Sequence, residues 1–358
     1  MGHAPGMEAA TLPPRAELVA AFFAGDAAYD GVFVAAVRTT RIFCRPTCRA
    51  RKPRPEHVEF FATPGAALRA GYRPCRRCRP TEPAGAPPAW LAALLRDVEA
   101  EPERRWRAAD LRARGLDPGR VRRWFQRHHG MSFHAWGRAR RLGLALHRIQ
   151  GGASVVTAAL DHGYDSLSGF NDAFRRLIGE PPRDARTRTR VVVAPIPTPL
   201  GTMLAGATDG ALCLLEFADR RMLEAQLRRL QHRLACAIVP GRNDVIGRTA
   251  EELEGYFAGR LRAFGVPLTT PGTPFQQEVW RRLRAIPYGA TLSYAELARE
   301  VGRPRAVRAV ARANGDNRLA ILIPCHRVVG ADGALTGYGG GLWRKRRLLE
   351  LESAHAGG

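Results

Sequence analysis

Ile42-Phe43-Cys44-Arg45-Pro46-Thr47-Cys48 and, further on, Gly71-Tyr72-Arg73-Pro74-Cys75-Arg76-Arg77-Cys78 decide how the start of this chain folds. Cys44 and Cys48 enclose three residues, Cys75 and Cys78 enclose two, and 26 residues lie between the pairs. Two close thiolate pairs meet the tetrahedral demand of structural Zn2+, each pair supplying two ligands from a tight turn. Apolar residues alternate at Val32, Val34 and Ala36 and continue to Ile42, which predicts a strand running into the cluster. So small a unit holds little core and needs a metal staple. Arginines crowd both pairs, Arg51 and Arg73 among them, and such a patch can hold DNA phosphates. On spacing alone, a purely structural zinc unit with a solvated basic face is the simpler reading. The chemistry allows more, because zinc keeps a thiolate deprotonated at neutral pH.

The remainder of the 358 residues exceeds what one core organises, so several domains are expected. With 56 Lys+Arg against 33 Asp+Glu the formal charge is +23, which implies a polyanionic partner. A GC-rich genome explains arginine over lysine, but not the net excess. No apolar run reaches the ~20 residues that span a bilayer, so nucleic acid, as double-stranded DNA, is expected ahead of a membrane. Seven cysteines, an odd number and mostly clustered, fit a reducing compartment rather than a disulfide framework. Met1 to Pro14 lacks the features of a secretory signal and reads as a loose tail. Cytoplasm, in association with the nucleoid, is the expected location.

Pro80 to Pro88 reads as one linker, and Pro181-Pro182 with Arg183 to Arg190 as another. The blocks expected are 1–82, 88–183, 191–269 and 270–354. The fold class is multidomain α+β: a small zinc-stapled α+β domain, an all-α domain with tandem helix-turn-helix units, then a mixed α/β part followed by a helical one. In the second block the helix-turn-helix patterns fall at Ala108 to Phe125 and Val155 to Leu177. The turns are Gly115-Leu116-Asp117-Pro118, with Asp117 as N-cap, and Gly163-Tyr164-Asp165-Ser166. The helix after the first turn carries Arg120, Arg122, Arg123 and Arg127. A single such pattern fits a plain bundle; two in tandem fit DNA reading.

Near the end stands Ile323-Pro324-Cys325-His326-Arg327-Val328. A lone Cys-His pair is more often a packed cysteine beside a surface histidine. Here the apolar run Leu319 to Ile323 delivers Cys325 into the interior, where its pKa rises unless a base or dipole helps. His326, water and a carboxylate can supply that help. Upstream, Leu292 to Arg312 forms a further helix-turn-helix pattern, with Arg305, Arg308 and Arg312 on one helix face between alanines. A low basic helix can approach a duplex closely, and a side chain must replace a base that leaves the stack. Arg308 is the candidate. Cys213 and Cys236 lack a basic motif and read as core cysteines.

Val37 to Arg51, with Gly71 to Cys78, resembles the metal-binding domain of the Ada adaptive-response family; Arg41 departs from it, standing where the family often has a small residue. The tandem helical units, ending Phe174 to Pro182, resemble AraC-type DNA-binding domains. Phe275 to Trp280, Ile286 to Gly289, Ser293-Tyr294 and Ile323 to Val328 resemble the O6-alkylguanine-DNA alkyltransferases. The resemblance implies a single-turnover repair protein and transcription regulator carrying one Zn2+ on Cys44, Cys48, Cys75 and Cys78. It implies that Cys44 takes methyl from phosphotriesters and Cys325 takes it from O6-methylguanine and O4-methylthymine. His326 would act as base through water and Glu352 would orient it. Tyr294 and Arg308 would flip the base, Asn317 would support the Cys325 loop, and Val328 and Tyr338 would line the pocket. RNA polymerase is an expected partner, and the chain an expected monomer. Gly339 and Arg318 depart from the alkyltransferase pattern, standing where Ser and Pro are frequent. The competing reading is an AraC-type regulator whose zinc domain is only structural and whose cysteines accept nothing.

Overall fold

A computed structural model describes residues 12–81, 87–129, 131–220 and 222–356. The tail through Thr11 and residues 82–86 of the first expected linker lie outside the described residues. Helix α1 (Arg15–Ala24) precedes a sheet of β1 (Val34–Val37), β2 (Ile42–Cys44), β3 (Val58–Phe61) and β4 (Arg73–Pro74) in the order β3-β1-β2-β4, with α2 (Pro64–Arg69) against it. The single strand expected from Val32 to Ile42 is instead a hairpin. Four consecutive polar residues, Arg38 to Arg41, cannot sit in a half-buried strand, and the chain reverses there. Arg41 takes a φ of 55° and donates its amide to the Val37 carbonyl at 2.9 Å. Both faces of β1 are covered: Val34 and Ala36 pack with Phe43, Ala67 and Tyr72, whereas Ala35 joins Leu18, Phe22 and Phe33 in the main core.

Six helices follow: α3 (Ala89–Ala100), α4 (Ala108–Ala113), α5 (Pro118–His129), α6 (Phe133–Gln150), α7 (Val155–Asp161) and α8 (Leu167–Ile178). Both expected turns are capped as their sequence requires. Asp117 Oδ1 accepts from the Arg120 amide at 2.6 Å, and Ser166 Oγ from the Gly169 amide at 3.2 Å. The side chain of Arg127 lies outside the described residues. The two helix-turn-helix units do not share a core. Leu91, Leu94, Leu111, Val121 and Phe125 form one cluster, while Leu146, Phe170 and Phe174 merge with the sheet that follows. Gly143 on α6 makes that merger possible, since a Cβ there would stand 2.5 Å from Val239 Cγ2. The second expected linker is seated rather than loose: Ala185 is fully buried, and Gln150 donates to the Arg188 carbonyl at 2.5 Å.

The next unit is a sheet of β5 (Arg190–Ile196), β6 (Met203–Ala207), β7 (Leu212–Phe217) and β8 (Ala237–Pro240), ordered β7-β6-β5-β8, with α9 (Leu223–Arg233) and α10 (Asp244–Phe257). The last part holds α11 (Pro274–Ala285), β9 (Leu292–Ser293), α12 (Tyr294–Glu300), α13 (Val307–Gly315), β10 (Val328–Val329) and α14 (Leu342–His355). Helix α13 starts only at Val307, because the chain first closes a turn from the Ala306 amide to the Arg303 carbonyl at 2.9 Å. Arg305, expected on that helix, therefore stands in the turn. The zinc-type unit docks on α14: the Tyr29 and Trp343 rings lie 6.2 Å apart, and Glu17 accepts from Tyr29 at 2.6 Å and from Arg346 at 3.2 Å. No helix among the described residues is long and apolar enough to cross a membrane.

Candidate functional site

Strands β2 and β4 run parallel and release Cys44 and Cys75 side by side, the Cys75 amide donating to the Phe43 carbonyl at 3.0 Å. A turn after each strand brings in its second thiol, closed by Cys48 to Arg45 at 3.1 Å and by Arg79 to Cys75 at 2.9 Å. The four sulfurs lie within 4.8 Å of one another, and none is in a disulfide. Zinc–sulfur bonds of about 2.3 Å place tetrahedral sulfurs ~3.8 Å apart, so the donor set and its spacing fit Zn2+. The Arg45 amide reaches Cys78 Sγ at 3.4 Å, the kind of outer hydrogen bond that orients a thiolate ligand. The flanking arginines divide. Arg45 is spent on the Cys78 carbonyl at 3.0 Å and Arg77 on that of Arg49 at 3.3 Å, whereas Arg51 and Arg73 are exposed. The departure at Arg41 is absorbed locally, its guanidinium lying 4.7 Å over the Tyr72 ring.

Cys325 is buried, at 8% exposure, in the turn after the apolar run. Asn317 Nδ2 donates to Cys325 Sγ at 3.2 Å and to the Ile323 carbonyl at 2.8 Å, while its Oδ1 accepts from the Leu319 amide at 2.9 Å. One amide thus ties both ends of the loop. Burial pushes the thiol pKa up, and the Asn317 hydrogen bond opposes it. Nε2 of fully buried His326 lies 2.9 Å from Glu352 Oε1, which assigns its proton to that side and leaves the Nδ1 lone pair free; Nδ1 has no partner among the described residues. Burial lowers the His326 pKa against the pull of Glu352, so the imidazole is neutral at neutral pH, as a base must be.

Glu352 comes from α14 and is held on every side. Arg327 clamps it with Nε at 2.8 Å and Nη2 at 2.9 Å, Tyr256 donates at 2.7 Å, and the Gly289 amide at 3.2 Å. Burial opposes its charge, but the hydrogen bonds from His326 and Arg327 outweigh that and hold the carboxyl far below the usual range. Tyr294 opens α12 under the Ser293–Glu296 capping box and donates to the Gly337 carbonyl at 3.3 Å. The Tyr338 ring stands 6.5 Å from His326. Val328 is fully buried, and its carbonyl accepts from Lys345 at 2.5 Å. The structure brings Cys325, His326, Glu352, Asn317, Tyr294, Val328 and Tyr338 together. Arg308 stands apart, exposed on α13. Cys213 and Cys236 lie in an apolar cluster with Val191 and Leu230.

Sequence reasoning missed Arg327, Tyr256 and Lys345. Lys345, fully buried and pulled down to about 8 by that burial with Cys325 opposing, hides in the run Arg344-Lys345-Arg346-Arg347. A signal existed: Lys52 and Lys345 are the two lysines among 56 basic residues, and each lies close enough to a cysteine site for its charge to be felt there. The departures have local causes. A Cβ on Gly339 would stand 2.5 Å from Arg220 Cζ, and Arg220 is committed to buried Glu216 and to the Gly315 carbonyl at 2.6 Å. Arg318 reaches the Pro271 carbonyl at 2.6 Å and lies 5.7 Å over Trp280.

A zinc-type thiolate cluster, paired helix-turn-helix units and a buried cysteine followed by a histidine–carboxylate pair define a modular DNA-binding protein with two cysteine centres. Family models agree along the chain: "Metal binding domain of Ada" matches residues 17–81, "Helix-turn-helix domain" residues 111–188, and "6-O-methylguanine DNA methyltransferase, DNA binding domain" residues 274–354. The "Bifunctional transcriptional activator/DNA repair enzyme Ada" of Escherichia coli is 37% identical over 90% of this chain and 92% of its own length. The "Regulatory protein ada" of Salmonella typhimurium is 35% identical over 92% and 94%. The O6-methylguanine methyltransferase structure from Mycobacterium tuberculosis is 42% identical over 46% of this chain and 94% of its own, with a TM-score of 0.40. This chain belongs to the Ada family.

Proposed function

We propose that this chain is a bifunctional DNA repair protein and transcriptional activator, a methylated-DNA–protein-cysteine methyltransferase that acts once per cysteine. Buried Cys325, held by Asn317 and followed directly by the buried His326–Glu352 pair, carries the reading. The Cys325 proton passes through a water to Nδ1 of His326, and Glu352 stabilises the imidazolium. The thiolate attacks the methyl carbon of O6-methylguanine or O4-methylthymine. A sulfur–carbon bond forms as the carbon–oxygen bond breaks, and the base keeps the electron pair and takes a proton from water. Tyr294 and Arg308 hold the base out of the stack, Arg308 filling its place, while Val328 and Tyr338 wall the pocket.

At the other centre Cys44, Cys48, Cys75 and Cys78 hold one Zn2+, which keeps thiolates deprotonated at neutral pH. Cys44 Sγ accepts methyl from a phosphotriester, leaving a phosphodiester anion, and Arg51 and Arg73 hold flanking phosphates. The site loses one negative charge in that step, so it repels the backbone less and promoter binding tightens. We place the protein in the cytoplasm with the nucleoid, as a monomer that engages RNA polymerase at its promoters. The test is the affinity of the zinc-loaded full chain for duplex DNA before and after exposure to methylphosphotriester DNA. Tighter binding after exposure is expected in the wild type and not in Cys44→Ser; equal affinity in the wild type overturns the switch.

A further inference from the structure

Apart from both cysteine centres, the two helix-turn-helix units and α6 line a half-open cavity of about 600 Å3, within the range of small-molecule sites. Its lining includes Trp106 and Phe133 from the first unit, Arg138 and Arg141 from α6, and Tyr164 and Asp165 from the second turn. Arg141 is 9% exposed, yet no carboxylate among the described residues pairs with it, and its Nε has no acceptor. Its neighbour shows the usual arrangement: Arg140, 6% exposed, is clamped by Glu99 at 3.0 and 2.8 Å. Arg105 and Arg138 add like charge around Arg141. Asp165, the acid at the rim, is taken by Arg105 at 3.3 Å.

A guanidinium this far buried without a counter-charge is costly, and its Nε, turned away from the cavity's open space, finds no acceptor. The Nε1 of Trp106, 6% exposed, and the Tyr164 hydroxyl are also buried without partners. Guanidinium and indole nitrogens only donate, so what completes them must be rich in acceptors and negative. The first turn of the twelve-residue helix α8 borders the same space through Ser166 and Gly169; the Gly169 amide is capped by Ser166, and the positive end of the helix dipole still favours an anion there.

We propose that this cavity is a phosphate site in which Arg141 and Trp106 Nε1 hold the oxyanion, supplied by a small phosphorylated molecule or by the backbone of a duplex lying across both units. The second source rests on the DNA-binding reading; the first goes beyond it. The test uses the zinc-loaded full chain as wild type, Arg141→Met and Trp106→Phe. One arm compares melting temperatures in inorganic phosphate and in chloride at matched ionic strength. The other follows affinity for a mixed-sequence duplex against salt. A saturable rise of several degrees in phosphate, lost in Arg141→Met and reduced in Trp106→Phe, supports the site and a free phosphate. No rise, with a salt slope lower by about 0.9 in Arg141→Met and weaker binding in Trp106→Phe, supports the site and a DNA phosphate. If both variants match the wild type in both arms, or lose only melting temperature in chloride, Arg141 is a packing residue and the proposal is wrong. A wild type that binds no duplex counts against the DNA-binding reading and leaves the phosphate arm to decide.

Discussion

His326 decides how alkyl transfer responds to pH. Burial lowers its pKa while Glu352 raises it, and burial wins. The base form therefore persists below the ordinary histidine value of about 6.5. The single-turnover rate of methyl transfer from O6-methylguanine duplex is expected to stay flat through neutrality and fall only at more acid pH; an acid-side loss of rate whose midpoint lies at or above the ordinary value contradicts the assignment. Stability follows the same sense. Glu352 is held below its unfolded value, so its contribution is complete above about pH 4.3 and is lost as pH falls through the folded value. Glu352→Gln is expected to cost about 3–5 kcal/mol at neutral pH, because Arg327 is left buried and unpaired, and to flatten the acid limb of urea unfolding. Gly339 has its own check. Gly339→Ser meets Arg220 and is expected to cost about 1–3 kcal/mol, with Arg220→Lys restoring part of it; strict additivity in that double-mutant cycle removes the steric explanation.

The elements that sequence exposed were those with a chemical signature at their ends. Asp117 marks a helix start by its capping oxygen, and Gly163-Tyr164-Asp165-Ser166 marks the turn before another, which Ser166 caps. What stayed hidden depends on tertiary partners. Strand β5 carries Pro195 and begins at an arginine that reads as linker, yet it pairs on both sides with β6 and β8. The hairpin of β1 and β2 was read as one strand because its apolar residues alternate across a polar turn. At the cysteine sites the four-thiol metal group and the Cys325-His326 pair were legible as motifs. Arg327 and Tyr256 were not, because their role exists only where α14 brings Glu352 against Tyr256 of α10 and against Arg327 in the turn after Pro324. Gly143 on α6 is the clearest case of packing that a sequence cannot announce. Gly143→Ala is expected to destabilise by about 1–3 kcal/mol through contact with Val239, and Val239→Ala to relieve it; calorimetry on the two single variants and the double one decides.

Across the whole molecule the charge of +23 spreads over units joined by packed seams. Tyr29 and Glu17 meet Trp343 and Arg346 on the helix that also supplies Glu352. Two cysteine chemistries thus share one folded body, and the core that holds Cys325 also takes Leu18, Phe22 and Ala35 of the zinc-type unit. Zinc removal by a chelator is expected to abolish uptake from methylphosphotriesters and to leave transfer to Cys325, measured on the same chain; parallel loss of both would mean that the centres are not separable. The most direct test of the central claim is intact-mass analysis with peptide mapping of the full chain, Cys325→Ser, Cys44→Ser and the double variant, each given duplexes carrying one lesion type. The expected result is one methyl on Cys325 from O6-methylguanine DNA and one on Cys44 from phosphotriester DNA, each lost only with its own cysteine. Methyl uptake from O6-methylguanine by Cys325→Ser, or no uptake by the wild type, would contradict it.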